Sequence, residues 1–474
     1  MHKRIAAVAI AASVGMLISL PSVANARNDN GNSWGYGYAR FQPKPPRQSS
    51  FGRIFPDLPP LNSQTPQQLA DLAQTQLDPN ADSENNQDPD MTSIYTYFGQ
   101  FIDHDLTLDT LPQPAETVDP TTLKNGRTFR FDLDSVYGNG PSGDPELYAA
   151  DGKHFLVQNP NPNGVVDLPR NPDGSAILVE HRNDENEVIS QIHESFLLLH
   201  NTFVDQGMTF QQARQATILR YQRIIMDDVL PHFVGQPAID AARTDRLYKP
   251  GNPNAPMTPV EFSVAAYRFG HSMVRRAYEL TNTTGKIQVF SATLPDLRGG
   301  RQLPAGRQID WGNFVHELSR PDNLTPVSHV NQSRKIDTLI SSSLFVLPIP
   351  GAEATGSNVL AFRNLVRAKF YDMPSGQDVA QAMGLPVITP AQLNLGPAFD
   401  NGTPLWYYIL AESSRTQDGK QLGPVGARIV ADVFVKLLQV DPDSILRHNR
   451  NTAPTTFHLE NLFVDAGLAK FPNP

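Results

Sequence analysis

From Ser93 onward, apolar residues recur at three- and four-residue spacings in six stretches: Ile94 to Leu106, Val188 to Val204, Ala213 to Val229, Pro259 to Leu280, Val359 to Lys369 and Val425 to Val440. That is the period of a helix with one buried face. Alternating segments are few, and Lys286 to Ser291 is the best short strand. Long Pro/Asn/Asp/Gly loops such as 139–187 and 295–333 separate the helices. Loops of that length inside a compact domain are more often functional than idle. No repeat of fixed period is present. The pattern predicts a mainly α fold: one large helical domain over residues 63–474, with long loops and very little sheet. An arm rich in Asn, Gly, Pro and Arg precedes it over residues 27–62.

The first 26 residues differ in kind. Lys3 and Arg4 lead an apolar run to Leu20, and Ala24-Asn25-Ala26 offers a small-x-small cleavage site, the layout of a secretory signal peptide. No later stretch reaches the ~20 apolar residues of a membrane span. The expectation is a soluble protein exported to the periplasm or secreted. Its formal charge of −9 becomes about −11 once Lys3 and Arg4 are removed, which argues against nucleic acid or an anionic membrane as partner. There are no cysteines, so thiolate ligation of a metal or haem is excluded. Any metal must be held by His, Asp, Glu or backbone oxygen. Four Asn-x-Ser/Thr sites, Asn282, Asn323, Asn331 and Asn401, leave glycosylation open.

Polar residues interrupt the apolar helices at a few places. In Tyr97-Phe98-Gly99-Gln100-Phe101-Ile102-Asp103-His104-Asp105, positions 100, 103 and 104 share one helix face. An amide, a carboxylate and an imidazole on an otherwise apolar helix are costly unless something uses them, although spacing alone reads equally well as a solvated patch. Arg182 and Glu185 lie three apart before a helix containing His193 and His200, and by themselves look like an exposed charged turn. His271, three residues after Arg268, is on its own a core histidine. Thr128, Asp132 and Asp134 place oxygen donors at alternate positions, as calcium prefers, yet Asp-rich turns are commonly just solvated.

Taken in order, these segments resemble the motifs of the animal haem peroxidases, over about residues 50–470. Gly-Gln-Phe-Ile-Asp-His-Asp is similar to the family's distal helix, Arg-x-x-Glu to its second distal element, Arg-Phe-Gly-His to its proximal segment, and Leu360-Ala361-Phe362-Arg363-Asn364-Leu365-Val366-Arg367 to the helix before the proximal hydrogen-bond partner. The resemblance implies an exported bacterial member that binds haem b and calcium, reduces hydrogen peroxide through a ferryl intermediate and oxidises small electron donors (halide, pseudohalide or phenolic). It further implies that His104 moves protons on peroxide, Gln100 orders water or halide, and Arg182 stabilises the charge of the breaking bond. Asp103 and Glu185 would form haem esters. His271 would be the axial ligand and Arg268 a propionate partner. Gln377 is the position aligned with the family's asparagine beside the proximal histidine, with Asn364 as fallback. Asp105, Thr128, Asp132, Asp134 and the Arg130 carbonyl would bind calcium. Asn186 stands where myeloperoxidase has methionine, so no sulfonium link is expected.

Three rivals remain. A fatty-acid dioxygenase relative needs a tyrosine three residues before the proximal histidine, where this chain has Arg268, with Tyr267 one residue off. An adhesion or calcium-binding module that lost catalysis predicts damage to His104, Arg182 or His271, and all three are present. A non-haem iron site gives no reason for the long separations between the motifs.

Overall fold

Helix α1 (Pro66–Gln74) starts where Thr65 and Gln68 bond reciprocally to each other's backbone N–H and Pro66 occupies the first turn, an arrangement that satisfies donors left open at any helix start. The computed structural model describes residues 49–80, 87–108, 117–291, 295–316, 318, 330–348, 358–447 and 456–471. The expected signal peptide, arm residues 27–48 and Asn323 lie outside them. Arm residues 49–62 are fastened to the helical body. Arg53 reaches the Tyr371 and Asp372 carbonyls at 2.6 and 3.0 Å. The buried Glu261 carboxylate accepts the Ile54 and Phe55 N–H groups at 2.9 and 3.0 Å.

Three helices frame the region of interest. Helix α2 (Ser93–Leu106) buries Ile94, Tyr97, Phe98, Phe101, Ile102 and Leu106. Helix α3 (Glu187–Asp205) begins at Asn186, whose side-chain oxygen accepts the Val188 and Ile189 N–H groups. Helix α4 (Phe210–Ile224) begins with a Thr209/Gln212 capping box. Aromatic rings join them: Phe101 of α2 stacks on Phe196 of α3 at 4.9 Å, and Tyr221 of α4 meets both edge-on at 6.0 and 5.6 Å. Burying each such ring contributes roughly 1.5–3 kcal/mol, and Phe101→Ala would cost about 3–5 kcal/mol while loosening the seat of α2.

The remaining helices pack around this frame. Helix α5 (Gln236–Thr244) lies against α9, and the short α6 (Gly270–Met273) against α2. Helix α7 (Leu360–Phe370) packs on α1 and on α8 (Leu405–Thr416), α9 spans Pro424–Val440, and α10 (Leu459–Asp465) covers part of α3. Sheet is confined to small pairs among the described residues. Strands β1 (Phe51–Gly52), β2 (Gln87–Thr92), β3 (Thr258–Pro259), β4 (Ala277–Glu279), β5 (Lys286–Gln288) and β6 (Gln332–Arg334) pair as β1 with β3 in parallel, and β2 with β6 and β4 with β5 antiparallel. The mainly α expectation holds, and no described helix is long and apolar enough to cross a membrane. Asn331 is buried, with its amide bonded to the Glu279 N–H and carbonyl and to the Asn313 carbonyl, so in this fold it is closed to a glycan.

Two helices depart from their apolar period. Beyond Ile224 the chain widens into a π turn, Ile225–Val229, with the Leu230 N–H bonded to the Ile225 carbonyl. Pro231 follows, and having no N–H it cannot continue the regular ladder. The stretch read as one helix from Pro259 to Leu280 is instead a π turn (Glu261–Ala265), a tight 3-10 turn (Ala266–Arg268) and α6, after which Val274 is extended and β4 begins. Arg268 donates its Nε–H back to the Ser263 carbonyl at 2.9 Å. Arg275 ties the exit to the Gln332 and Ser333 carbonyls of β6.

Candidate active site

The site's first half forms where α2 meets the turn before α3. Glu180 opens that 3-10 turn (His181–Asp184) by accepting the Arg182 N–H. Its buried carboxylate also binds the guanidiniums of Arg127 and Arg182. Burial opposes the Glu180 charge, but Arg127 and then Arg182 outweigh it and hold the carboxyl well below its usual range. Arg182 is further pinned by the His104 carbonyl at 3.3 Å and by the Thr107 carbonyl, and its Nη1 lies 4.0 Å from Asp103. Asp103 accepts the Thr107 hydroxyl at 3.0 Å. Gln100 donates to Glu185 at 3.2 Å and accepts from Asn186 at 3.4 Å. Burial, moderated by Arg182, pushes the Glu185 carboxyl up to about 8.

His104 sits at the centre, with Nδ1 2.8 Å from Asn183 Oδ1. Burial first and Arg182 second bring its pKa down to about 4, so the imidazole is neutral over the usual working range. Gln100, Asp103, His104, Arg182 and Glu185 are thus brought together from two segments about eighty positions apart.

The long loops explain themselves at this point. Loop 139–187 returns Arg170 to Asp184 at 2.8 Å and to Asp167 at 2.9 Å, all three buried. The loop after 295 crosses the same turn from the other side: Gly299 and Gly300 donate to the Glu185 and Asp184 carbonyls at 2.9 and 2.8 Å. A side chain at Gly299 would meet the Asp184 carbonyl oxygen at 2.0 Å, so this clamp requires glycine.

Asp105 points away from the other α2 polar groups. It accepts the Ser135 hydroxyl at 2.7 Å and the Leu133 and Ser135 N–H groups at 3.3 Å. Carboxylate oxygens of Asp105, Asp132 and Asp134 lie within 4.8 Å of one another, and Thr128 donates to Asp132 at 2.9 Å. Phe129 and Leu133, at φ 54° and 53°, curl the loop, a strained backbone for such residues. Burial first, and then the neighbouring aspartates, push the Asp105 and Asp134 carboxyls up, Asp134 against the opposing charge of Arg127. One buried Asp134 oxygen has no hydrogen-bond partner. Crowded, partly unpaired hard oxygens fit a divalent cation such as calcium. The Arg130 side chain turns away to Asp441, leaving its backbone in the curl.

His271 lies on α6, which packs against α2. Asn364 of α7 stands 2.9 Å from its Nδ1. Gln377 does not: it donates to the Ile388 carbonyl and Thr403 hydroxyl, both at 3.1 Å, and accepts the Thr403 N–H at 2.8 Å. The aligned position is therefore corrected to Asn364, which α7 carries to within 2.9 Å of His271, whereas Gln377 lies beyond the Tyr371–Ser375 bend. Burial, then Arg268 and Arg367, hold His271 neutral, with its pKa down to about 3. A neutral imidazole is the form that ligates iron, and where a Cβ would extend from Gly270 nothing lies within 4 Å, room that a flat macrocycle needs.

Sequence reasoning missed Glu180, Arg127, Asn183 and Gly299, because each meets at least one partner far along the chain. His193 and His200 do pack within the bundle: His193 accepts from Asn183, and His200 meets the Tyr137 hydroxyl and the Lys153 carbonyl.

Residues 112–344 match the family model described as animal haem peroxidase. The match takes in the acidic loop, the Arg182–Glu185 turn and His271, and begins after α2. The chain is 24% identical over 347 residues to the chorion peroxidase of Drosophila melanogaster, which covers 66% of this chain and 41% of that one. It spans less than half the length of the curated relatives it matches. Two solved structures share the fold: peroxidase A of Dictyostelium discoideum (TM-score 0.63, 18% identity, 89% of this chain and 94% of that one) and a fatty acid alpha-dioxygenase of Arabidopsis thaliana (TM-score 0.58, 15% identity, 88% and 77%).

Proposed function

We propose that this chain, a member of the animal haem peroxidase family through residues 112–344, reduces hydrogen peroxide to water and recovers the electrons from small donors. The observation that carries the reading is the joining of α2 to the Arg182–Glu185 turn, with Gln100 on Glu185 at 3.2 Å and Arg182 on the His104 carbonyl at 3.3 Å. Haem b, when bound, supplies the two electrons that break the O–O bond, and the donor replaces them. Two electrons and two protons turn each peroxide into two waters.

His104, held neutral, takes a proton from one peroxide oxygen and returns it to the departing one. Arg182 offers a fixed positive charge to the departing oxygen, and its carbonyl and Glu180 anchors leave little reorganisation to be done. Gln100 orients water or a halide. His271 is the residue to hold the iron, with Asn364 on its other nitrogen, and Arg268 pairs with a propionate. Asp103 and Glu185 are the carboxyls for haem esters, formed oxidatively with peroxide as oxidant. Asp105, Thr128, Asp132, Asp134 and the Arg130 carbonyl hold calcium, which fastens the acidic loop to α2 and so steadies His104. With a cleaved leader over residues 1–26, the domain over 63–474 acts in the periplasm or outside the cell on halide, pseudohalide or phenolic donors.

The test is the visible absorption spectrum of haem-loaded protein. One equivalent of peroxide is expected to shift the Soret band, and bromide or a phenol to restore it. Failure to bind haem, or a band indifferent to peroxide, would refute the proposal. Acidified organic solvent should leave the haem on peroxide-treated protein, and ready extraction would remove the ester roles of Asp103 and Glu185.

A further inference from the structure

We propose that Asn183 is a positioning residue that fixes which nitrogen of His104 carries the proton, acting within a buried His104–Asn183–His193 chain. The proposal deepens the peroxidase reading and rests on it for the task of His104.

His104 Nδ1 lies 2.8 Å from Asn183 Oδ1, and Asn183 Nδ2 lies 2.9 Å from His193 Nδ1. The three residues are 4%, 0% and 1% exposed, so bulk water does not substitute for any of these bonds. An amide oxygen only accepts and an amide nitrogen only donates, and this gives the chain one direction. His104 donates its Nδ1–H to Asn183, and Asn183 donates in turn to Nδ1 of His193. The lone pair of His104 is then at Nε2, the nitrogen left to take a proton from substrate. With the amide turned over, Asn183 would donate to Nδ1 and the His104 proton would sit on Nε2, where the ring cannot act as a base.

His193 is what completes the chain in this direction. To accept from Asn183 it must be neutral with its proton on Nε2, and burial keeps it neutral, bringing its pKa down to about 3. Phe101 of α2 packs edge-on against its ring at 6.3 Å. The Asn183 backbone is equally held: its N–H donates to the Glu180 carbonyl at 2.9 Å, and its neighbours Arg182 and Asp184 are tied to Glu180 and Arg170. The charged groups facing this chain are Arg182, Glu180 and Asp103 around His104, and Glu180 and Arg127 around His193. They set the local field, while the bond to Nδ1 comes from Asn183.

The test uses haem-loaded protein labelled with 15N-histidine, the His104 nitrogens being assigned by comparison with His104→Ala. The expected wild-type pattern is a protonated Nδ1 and an unprotonated Nε2. Asn183→Val should keep the Soret band, lose that pattern and slow the reaction with peroxide about 10- to 100-fold, as removal of an orienting partner generally does. Asn183→Asp, which keeps an oxygen facing Nδ1, should restore the nitrogen shifts and most of the rate. Unchanged shifts and rate in Asn183→Val, or an Asn183→Asp protein no better than the valine variant, would overturn the proposal. A wild-type rate in His104→Ala would instead remove the distal reading, and this proposal with it. A slow His104→Ala beside a wild-type Asn183→Val removes this proposal alone.

Discussion

The two histidines of the site each meet an asparagine through Nδ1, His104 with Asn183 at 2.8 Å and His271 with Asn364 at 2.9 Å, yet the surroundings differ. His104 lies in the last turn of a continuous helix, and its Asn183 partner, in the 3-10 turn, is backed by a second histidine, by Glu180 with its two arginines, and by loops clamped on both sides. His271 stands on a backbone broken into π, 3-10 and short α pieces, beside the cations Arg268 and Arg367, while Asn364 comes from the regular helix α7. The amides also face opposite ways: Asn183 turns its oxygen to His104, and Asn364 its nitrogen to His271. To ligate through Nε2, His271 must carry its proton on Nδ1, which Asn364 can accept only after a half-turn of its amide. On the proposed reading, a general base at His104 is pre-set by the protein alone, whereas a haem ligand at His271 would take its final proton pattern from what it binds.

That contrast can be broken most sharply at His271. His271→Ala is expected to abolish haem binding, read as loss of the Soret band on reconstitution, and a variant that retained the normal spectrum would refute the axial role. Chelation of calcium should act next, on the distal side. It removes the stabilisation given by a bound ion, about 2.7 kcal/mol at a hundredfold excess over its Kd, and Tm and activity should fall together. A chelated protein with neither effect would dismiss the Asp105–Asp132–Asp134 site. The smallest effect sharpens the proximal side. Asn364→Val should weaken haem retention about 10- to 100-fold, while Gln377→Ala should leave it unchanged, and the reverse order would reinstate Gln377.

Much of this was legible in the chain itself. Helices α2, α3 and α9 lie within a residue or two of their apolar periods, because their apolar residues recur at helical spacing, although burial extends over most of each helix. The polar residues that broke those stripes, Gln100, Asp103 and His104, became a site because Arg182 and Glu185 arrive beside them. What the pattern hid was backbone and long-range geometry. Apolar spacing cannot distinguish an α ladder from the π and 3-10 turns around Arg268. Nor could spacing choose between Asn364 and Gln377, since the choice depends on which of them reaches His271 in space. Asn183 lay in what read as a charged turn, and nothing in the spacing set His193 apart from the helix that contains it. Their meaning appears only where that turn lies on α2.

The most direct measurement is the stopped-flow rate of peroxide reaction for haem-loaded wild type and His104→Ala. With His104 brought down to about pKa 4, its base form is present above that pH and lost below it, so the wild-type rate should hold near neutrality and fall as pH drops toward 4. His104→Ala should keep its haem but react about 10²–10⁴-fold more slowly, the usual worth of a positioned acid–base group, without that acid limb. A wild-type rate and unchanged pH profile in the variant would contradict the assignment of His104 as the base.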